Sequence, residues 1–137
     1  MESDKKIVLP DTNTLKAIQN NVELVKSSMK KELDVELDLD AKSIEWIDGY
    51  INRNSEAFED STKRNLVSVL GSFLGEAIIK NIGGKWALNN ESLGIHLKGK
   101  SWAFPFSKVE KQLYDGPEDS IYSFYRVIPK ILDGSLS

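Results

Sequence analysis

The chain has one histidine, His96, and no cysteine. These two counts bound most of the chemistry its side chains could do. A Ser-His-acid set could be built only around His96. That residue lies in the alternating run Leu93-Gly94-Ile95-His96-Leu97, opposite the apolar positions, and reads as a surface strand histidine. A metal centre of the imidazole or thiolate kind needs more ligands than one. An oxygen-only site would have to use acids, and Asp34 to Asp40 lacks the glycine turn and closing glutamate of a calcium loop. Disulfide stapling is excluded. No catalytic residue, no metal site and no cofactor is assigned.

Glu76 is the one charge that stands out by position. It lies within LVSVLGSFLGEAIIKNI, a dense apolar run over residues 66–82. A carboxylate in such a setting must be paired, hydrogen-bonded or protonated. Lys80, four residues on, is one candidate partner. A hydrogen bond to the first strand near Trp86 is the other. A buried structural charge is the reading adopted over a catalytic acid. Gly71 and Gly75 lie inside the same run rather than between a strand and a helix. Gly83-Gly84 closes it rather than opening a helix. Neither pair has the context of a phosphate-binding loop.

The net charge of −3 hides an asymmetry. Residues 32–60 hold ten acids and two bases, a balance of −8, and the rest carries +5. Phosphate contacts need cations, so nucleic acid is not a partner for this segment. A basic protein surface fits it better, and the plain reading is a solvated helix-and-loop face that serves solubility. Asp34, Glu36, Asp38, Glu45 and Asp48 are the candidate docking residues. Lys85, Lys98, Lys100, Lys108 and Lys111, near aromatic residues, imitate a nucleic-acid platform. They include no arginine, and the chain is acidic overall, so no nucleic acid is expected. Trp46, Trp86 and Trp102 fall on three separate elements and read as core.

The elements that must position these residues follow from periodicity. Residues 1–10 read as a flexible tail and 11–134 as a single domain. Leu15, Ile18, Val22, Val25 and Met29 form one stripe of an amphipathic helix from the Asp11-Thr12-Asn13-Thr14 cap to about Lys31. In LDVELDLD, residues 33–40, leucines and valine alternate with acids. That is a strand pattern in poor strand formers, and an extended connection pinned by its leucines fits equally well. Asp40 caps a second helix over 41–53, and Asp60-Ser61 opens a long central one over 61–82. Gly71 and Gly75 inside it imply close approach of another backbone. Strands are expected near 85–88, 93–97 and 101–105, with turns at Asn89-Asn90 and Lys98-Gly99-Lys100. Ser107 then caps a short helix over 108–114. Gly116-Pro117 opens a last helix that Pro129 ends or kinks. The fold class is α+β: N-terminal helices and a long central helix packed on a small three-stranded antiparallel meander, with C-terminal helices. A charged N-terminus without an apolar core segment predicts no signal peptide, and Ser72, Glu76 and Lys80 interrupt the longest apolar run, so no membrane span is expected.

Three segments, DAKSIEWIDGYINRN, LGSFLGEAIIKNIGGKWAL and WAFPFSKVEKQLYDGPEDSIYSFYRVI, resemble in their order a group of small bacterial α+β domains of unknown function. The shared pattern is S-x-E-W-x-D-x-Y-I, then G-E, G-G-x-W and F-P-F. It falls here on Ser43, Glu45, Trp46, Asp48, Tyr50 and Ile51, then Gly75, Glu76, Gly83, Gly84 and Trp86, then Phe104, Pro105 and Phe106. The resemblance covers about residues 38–130. It implies a bacterial, cytoplasmic domain and brings no activity with it. Small acidic proteins of this kind often stand beside toxins as immunity proteins, which is analogy of genre.

The leading expectation is therefore a non-catalytic protein-binding module, of the immunity-inhibitor type, that meets a basic partner through its acidic segment. One alternative is a small-ligand binder or enzyme with a pocket between the central helix and the sheet, using Glu76. The other is a housekeeping domain that dimerises through the first helix.

Overall fold

The computed structural model describes residues 7–134. Along them run α1 (Thr12–Leu33), α2 (Ala41–Asn54), α3 (Asp60–Asn81), β1 (Lys85–Asn89), β2 (Ser92–His96), β3 (Trp102–Ala103), α4 (Pro105–Asp115) and α5 (Ile121–Leu132). Single 3-10 turns lie at Ser55–Ala57 and Pro117–Asp119. The three strands form an antiparallel meander in the order β1-β2-β3. The architecture is α+β, with helices before and after the sheet.

Helix α3 organises the core. Nine of its residues between Val69 and Ile78 are buried, on every side of the helix. A helix apolar all round needs cover all round. Here α1 and α4 pack along it, with α5 and β2 completing the shell. The α1 stripe supplies Ile18, Val22, Val25 and Met29, all buried. Each such side chain contributes about 1.5–3 kcal/mol on removal from water. Four of the five stripe residues are thus buried inside the chain, and Leu15 is exposed. A polar seam accompanies it: Asn21 Nδ2 donates to Ser72 Oγ at 3.1 Å, and Ser72 Oγ donates to the Ser68 carbonyl at 2.9 Å.

The two helix glycines have a physical reason that differs from the expected one. A methyl on Gly75 would overlap the six-membered ring of Trp86, and one on Gly71 would overlap the ring of Phe106. What approaches α3 so closely is a pair of aromatic rings, not a backbone. Trp86 and Phe106 are themselves 5.6 Å apart at 34°.

Several boundaries also differ from expectation. Residues 34–40 are not a strand. They form the extended connection, with Leu37 buried and Val35 and Leu39 packed half-buried against the core. The hairpin turn is Asn90-Glu91, not Asn89-Asn90, because Asn89 pairs with Ser92. β3 is two residues long, and α4 starts at Pro105 with Phe104 as its cap residue, not at 108 behind Ser107. Proline at the first helical position loses no bond that the helix would have made. Ser120, not Gly116, caps α5, and α5 continues past Pro129 to Leu132. Of the expected N-terminal tail, residues 1–6 lie outside the described residues. Val8 forms an antiparallel bridge to Leu88, whose amide donates to the Val8 carbonyl at 2.7 Å.

Candidate docking surface

The acidic segment becomes a surface through its alternation. As Val35, Leu37 and Leu39 turn to the core, Glu36, Asp38 and Asp40 turn out. The entry to the segment is fixed by Asp34, which ends α1 in the left-handed conformation at φ 54° and donates its amide to the Lys30 carbonyl, while the Val35 amide donates to the Met29 carbonyl. Its carboxylate accepts from Lys30 Nζ at 2.7 Å, and Glu36 lies 3.5 Å from the same ammonium. The hydrogen bond that Lys30 donates to Asp34 raises the Lys30 pKa above its ordinary value, desolvation opposes the rise, and the charge of Glu36 adds to it. The exit is fixed by Asp40, which accepts the Ser43 amide at 2.8 Å as the cap of α2, while Ser43 Oγ accepts the Asp38 amide at 2.8 Å. From below, Asn81 Nδ2 donates to the Leu39 carbonyl at 2.7 Å and to the hydroxyl of Tyr125 at 3.1 Å. Burial raises the Tyr125 pKa, the Asn81 contact opposes this, and the nearby Asp40 charge adds to the rise.

Between this connection and the first turns of α2 lies a groove of about 610 Å³. Its wall carries Glu36, Asp38, Asp40 and Glu45, with Lys42 as the one base and half-buried Trp46 on the helix side. Trp46 stacks on Tyr50 at 5.5 Å and 16°, and the Arg53 guanidinium lies 5.8 Å from its ring centre. Tyr50 in turn meets Phe58 at 6.0 Å. The groove therefore combines anionic rims with an aromatic wall held by ring packing.

The five sequence candidates divide. Glu36, Asp38 and Glu45 line the groove, and Asp34 stands exposed at its entrance. Asp48 faces the other way. Its carboxylate accepts from the Tyr122 amide at 2.9 Å, from Asn52 Nδ2 at 3.2 Å and from the Ser120 hydroxyl. It is a cap for the start of α5. Asp60, from the same acidic segment, is engaged by Arg64 and by the hydroxyl of Tyr114.

Glu76 is half-buried and accepts from Trp86 Nε1 at 2.7 Å. The partner is the expected strand residue and not Lys80. The same bond holds the Trp86 ring over Gly75, so the space between α3 and the sheet is occupied by that ring. His96 is half-buried, with Nε2 3.0 Å from the Gly99 carbonyl and its ring 5.1 Å from Trp102. Among the described residues no group of three or more His, Asp or Glu is set to hold a metal ion. No described helix is long and apolar enough to cross a membrane.

Sequence reasoning missed a polar junction beneath the acidic face. Gln112 is fully buried on α4. Its Nε2 donates to the Asp48 carbonyl at 3.2 Å and to Asn52 Oδ1 at 2.9 Å, and its Oε1 accepts the Ile121 amide at 2.8 Å. One side chain thus ties α2, α4 and α5. The available signal was an amide in the apolar stripe between Val109 and Leu113.

No family model matches the chain, and no curated protein matches it. Among solved structures, a crystal structure of a protein from Bacteroides thetaiotaomicron VPI-5482 is similar, with a TM-score of 0.69 and 16% sequence identity. The alignment covers 98% of this chain and 50% of that one, so the chain spans about half the length of its structural neighbour, and the likeness is one of fold.

Proposed function

We propose that this chain is a bacterial, cytoplasmic, non-catalytic protein-binding module, and that it receives a basic partner on the groove between residues 35 and 46, in the manner of an immunity-type inhibitor. One observation carries the reading. Four of the ten acids of the −8 segment, Glu36, Asp38, Asp40 and Glu45, converge on one concave surface beside a ring-packed tryptophan. Complementary charge of this kind speeds encounter and fixes orientation, and aromatic side chains supply contact area at interfaces. Asp48 is excluded from the binding set, because its oxygens already serve α5.

The test is affinity capture from the native host with the wild type and with a variant carrying Asp34→Lys, Glu36→Lys, Asp38→Lys and Glu45→Lys. These side chains are exposed, so each substitution changes stability by about 0–1 kcal/mol. The expected result is a basic protein retained by the wild type, released as salt rises, and absent from the variant. The same protein retained by both, at low and high salt alike, would exclude the groove.

A further inference from the structure

A second concavity opens near the acidic groove. It lies among α1, α2 and α3 and encloses about 350 Å³. Val25, Met29 and Val69 form its buried floor. Leu24 and Leu33, 50% and 48% exposed, stand at its edge with Glu32. A single exposed leucine is ordinary, but two at the rim of one apolar hollow are not scattered surface residues.

The hollow and the acidic groove share no lining residue but adjoin at two places. Tyr50 lines the hollow and Trp46 lines the groove, and the two rings are stacked at 5.5 Å, so one aromatic wall serves both. Leu33 belongs to the hollow and Val35 to the groove. Two residues of chain span at most about 7 Å. A partner segment lying across Asp34 therefore meets anionic rims on one side and an apolar hollow on the other. A second copy of this chain fits poorly there, because a symmetric contact would set Glu32, Asp34 and Glu36 against their own counterparts.

We infer, resting on the docking function proposed above, that the hollow receives one large apolar side chain of the basic partner, and that the partner's recognition element is a phenylalanine- or leucine-type anchor flanked by lysine or arginine. Anchors of this kind, seated in desolvated pockets and ringed by weaker polar contacts, dominate the affinity of many interfaces. The volume is at the small end of the range for ligand pockets, about 300–1,000 Å³, and suits one side chain better than an extended ligand.

Three synthetic peptides test this by NMR on the full chain with labelled methyl groups and amides. The first carries one phenylalanine among lysines. The second has alanine for the phenylalanine, and the third has glutamine for the lysines. The first peptide is expected to shift the methyl resonances of Leu24, Met29 and Leu33 together with the amides of residues 36–45. The second should move only those amides and bind about 30-fold more weakly, the size of a strong anchor. The third should bind weakly at both places. Leu24→Asp, at an exposed position, should reduce the first peptide to the level of the second. Equal binding of the first two peptides, confined to residues 36–45, would overturn the anchor and leave the acidic groove standing. Equal methyl shifts with the first and third would make the hollow a site for any apolar group and overturn the basic-flanked anchor. No shift at residues 36–45 with any peptide would remove the docking function itself, and the anchor with it. Concentration-dependent dimerisation that protects Leu24 and Leu33 would assign the hollow to a second copy and overturn the inference.

Discussion

Substitution of Gly75 by alanine sets two effects of opposite sign against each other. In an exposed helix the change stabilises by about 1 kcal/mol, because alanine restricts the unfolded backbone and favours the helix. In α3 the added methyl would overlap the Trp86 ring and lie 3.2 Å from Pro105 Cγ. Comfortable carbon–carbon separation is about 3.5–4.0 Å. The ring cannot swing away freely, because Trp86 Nε1 is bonded to Glu76 at 2.7 Å and Phe106 stands 5.6 Å behind it. Overpacking costs about 1–3 kcal/mol, and losing a hydrogen bond to a charged group about 1.5–3 kcal/mol more. Even with partial relaxation, the net expectation is a loss of about 2 kcal/mol. Gly75→Leu should be worse, well beyond that figure. The assay is denaturant unfolding followed by circular dichroism, in the native background and with Trp86→Val. Without the indole the methyl keeps only the 3.2 Å contact with Pro105 Cγ, which a shift of a few tenths of an ångström relieves, and Gly75→Ala should become stabilising by up to about 1 kcal/mol, a coupling of about 3 kcal/mol between the two sites. A stabilising effect in the native background, or the same effect in both, would falsify the account of α3 packing.

Other expectations concern single positions. Asn90 and Glu91 hold φ of 50° and 72° in a two-residue hairpin turn, where glycine is favoured at the second position, so Glu91→Gly should raise stability by about 0.5–1 kcal/mol in the same unfolding assay. Gln112→Leu should cost about 1–3 kcal/mol and speed hydrogen exchange at the Ile121 amide, because that donor loses its acceptor in a buried place. Burial raises the folded-state pKa of Tyr125, so its contribution is fully present below the ordinary tyrosine pKa of about 10 and fades as pH climbs from there through the higher folded value. Alkaline titration of stability should therefore fall less steeply in Tyr125→Phe than in the wild type.

What the sequence made legible, and what it concealed, has physical causes. The α1 stripe, the α3 run and the alternating strands were readable because burial of one face imposes a period on local sequence. The α+β meander follows from their order. Helix starts were less readable wherever two signals competed. Pro105 was read as the end of a strand, yet the same fixed φ that stops a ladder begins a helix, and the structure uses the second property. In residues 33–40 the period of two was real, but it reflects leucines that pin a connection and not a ladder of hydrogen bonds. The site was legible only in part. The charge block over residues 32–60 pointed to Glu36 and Asp38, whose exposure is decided within their own segment. It also pointed to Asp48, whose role depends on Ser120 and Tyr122, some seventy residues away, and no local pattern carries that. The apolar hollow, assembled from three helices, had no local signature at all.

The capping of α5 by a carboxylate on α2 ties the C-terminal helix to the middle of the chain. A short helix is marginal alone, and α5 draws its first-turn acceptors from Asp48 and Gln112 rather than from its own sequence apart from Ser120. Nascent chain emerging after α4 thus finds a prepared seat, whereas α5 severed from α2 has none. Cooperativity is the expected consequence: α2, α4 and α5 should open and close as one unit in native-state exchange, and a substitution that stabilises α2 should slow exchange in α5.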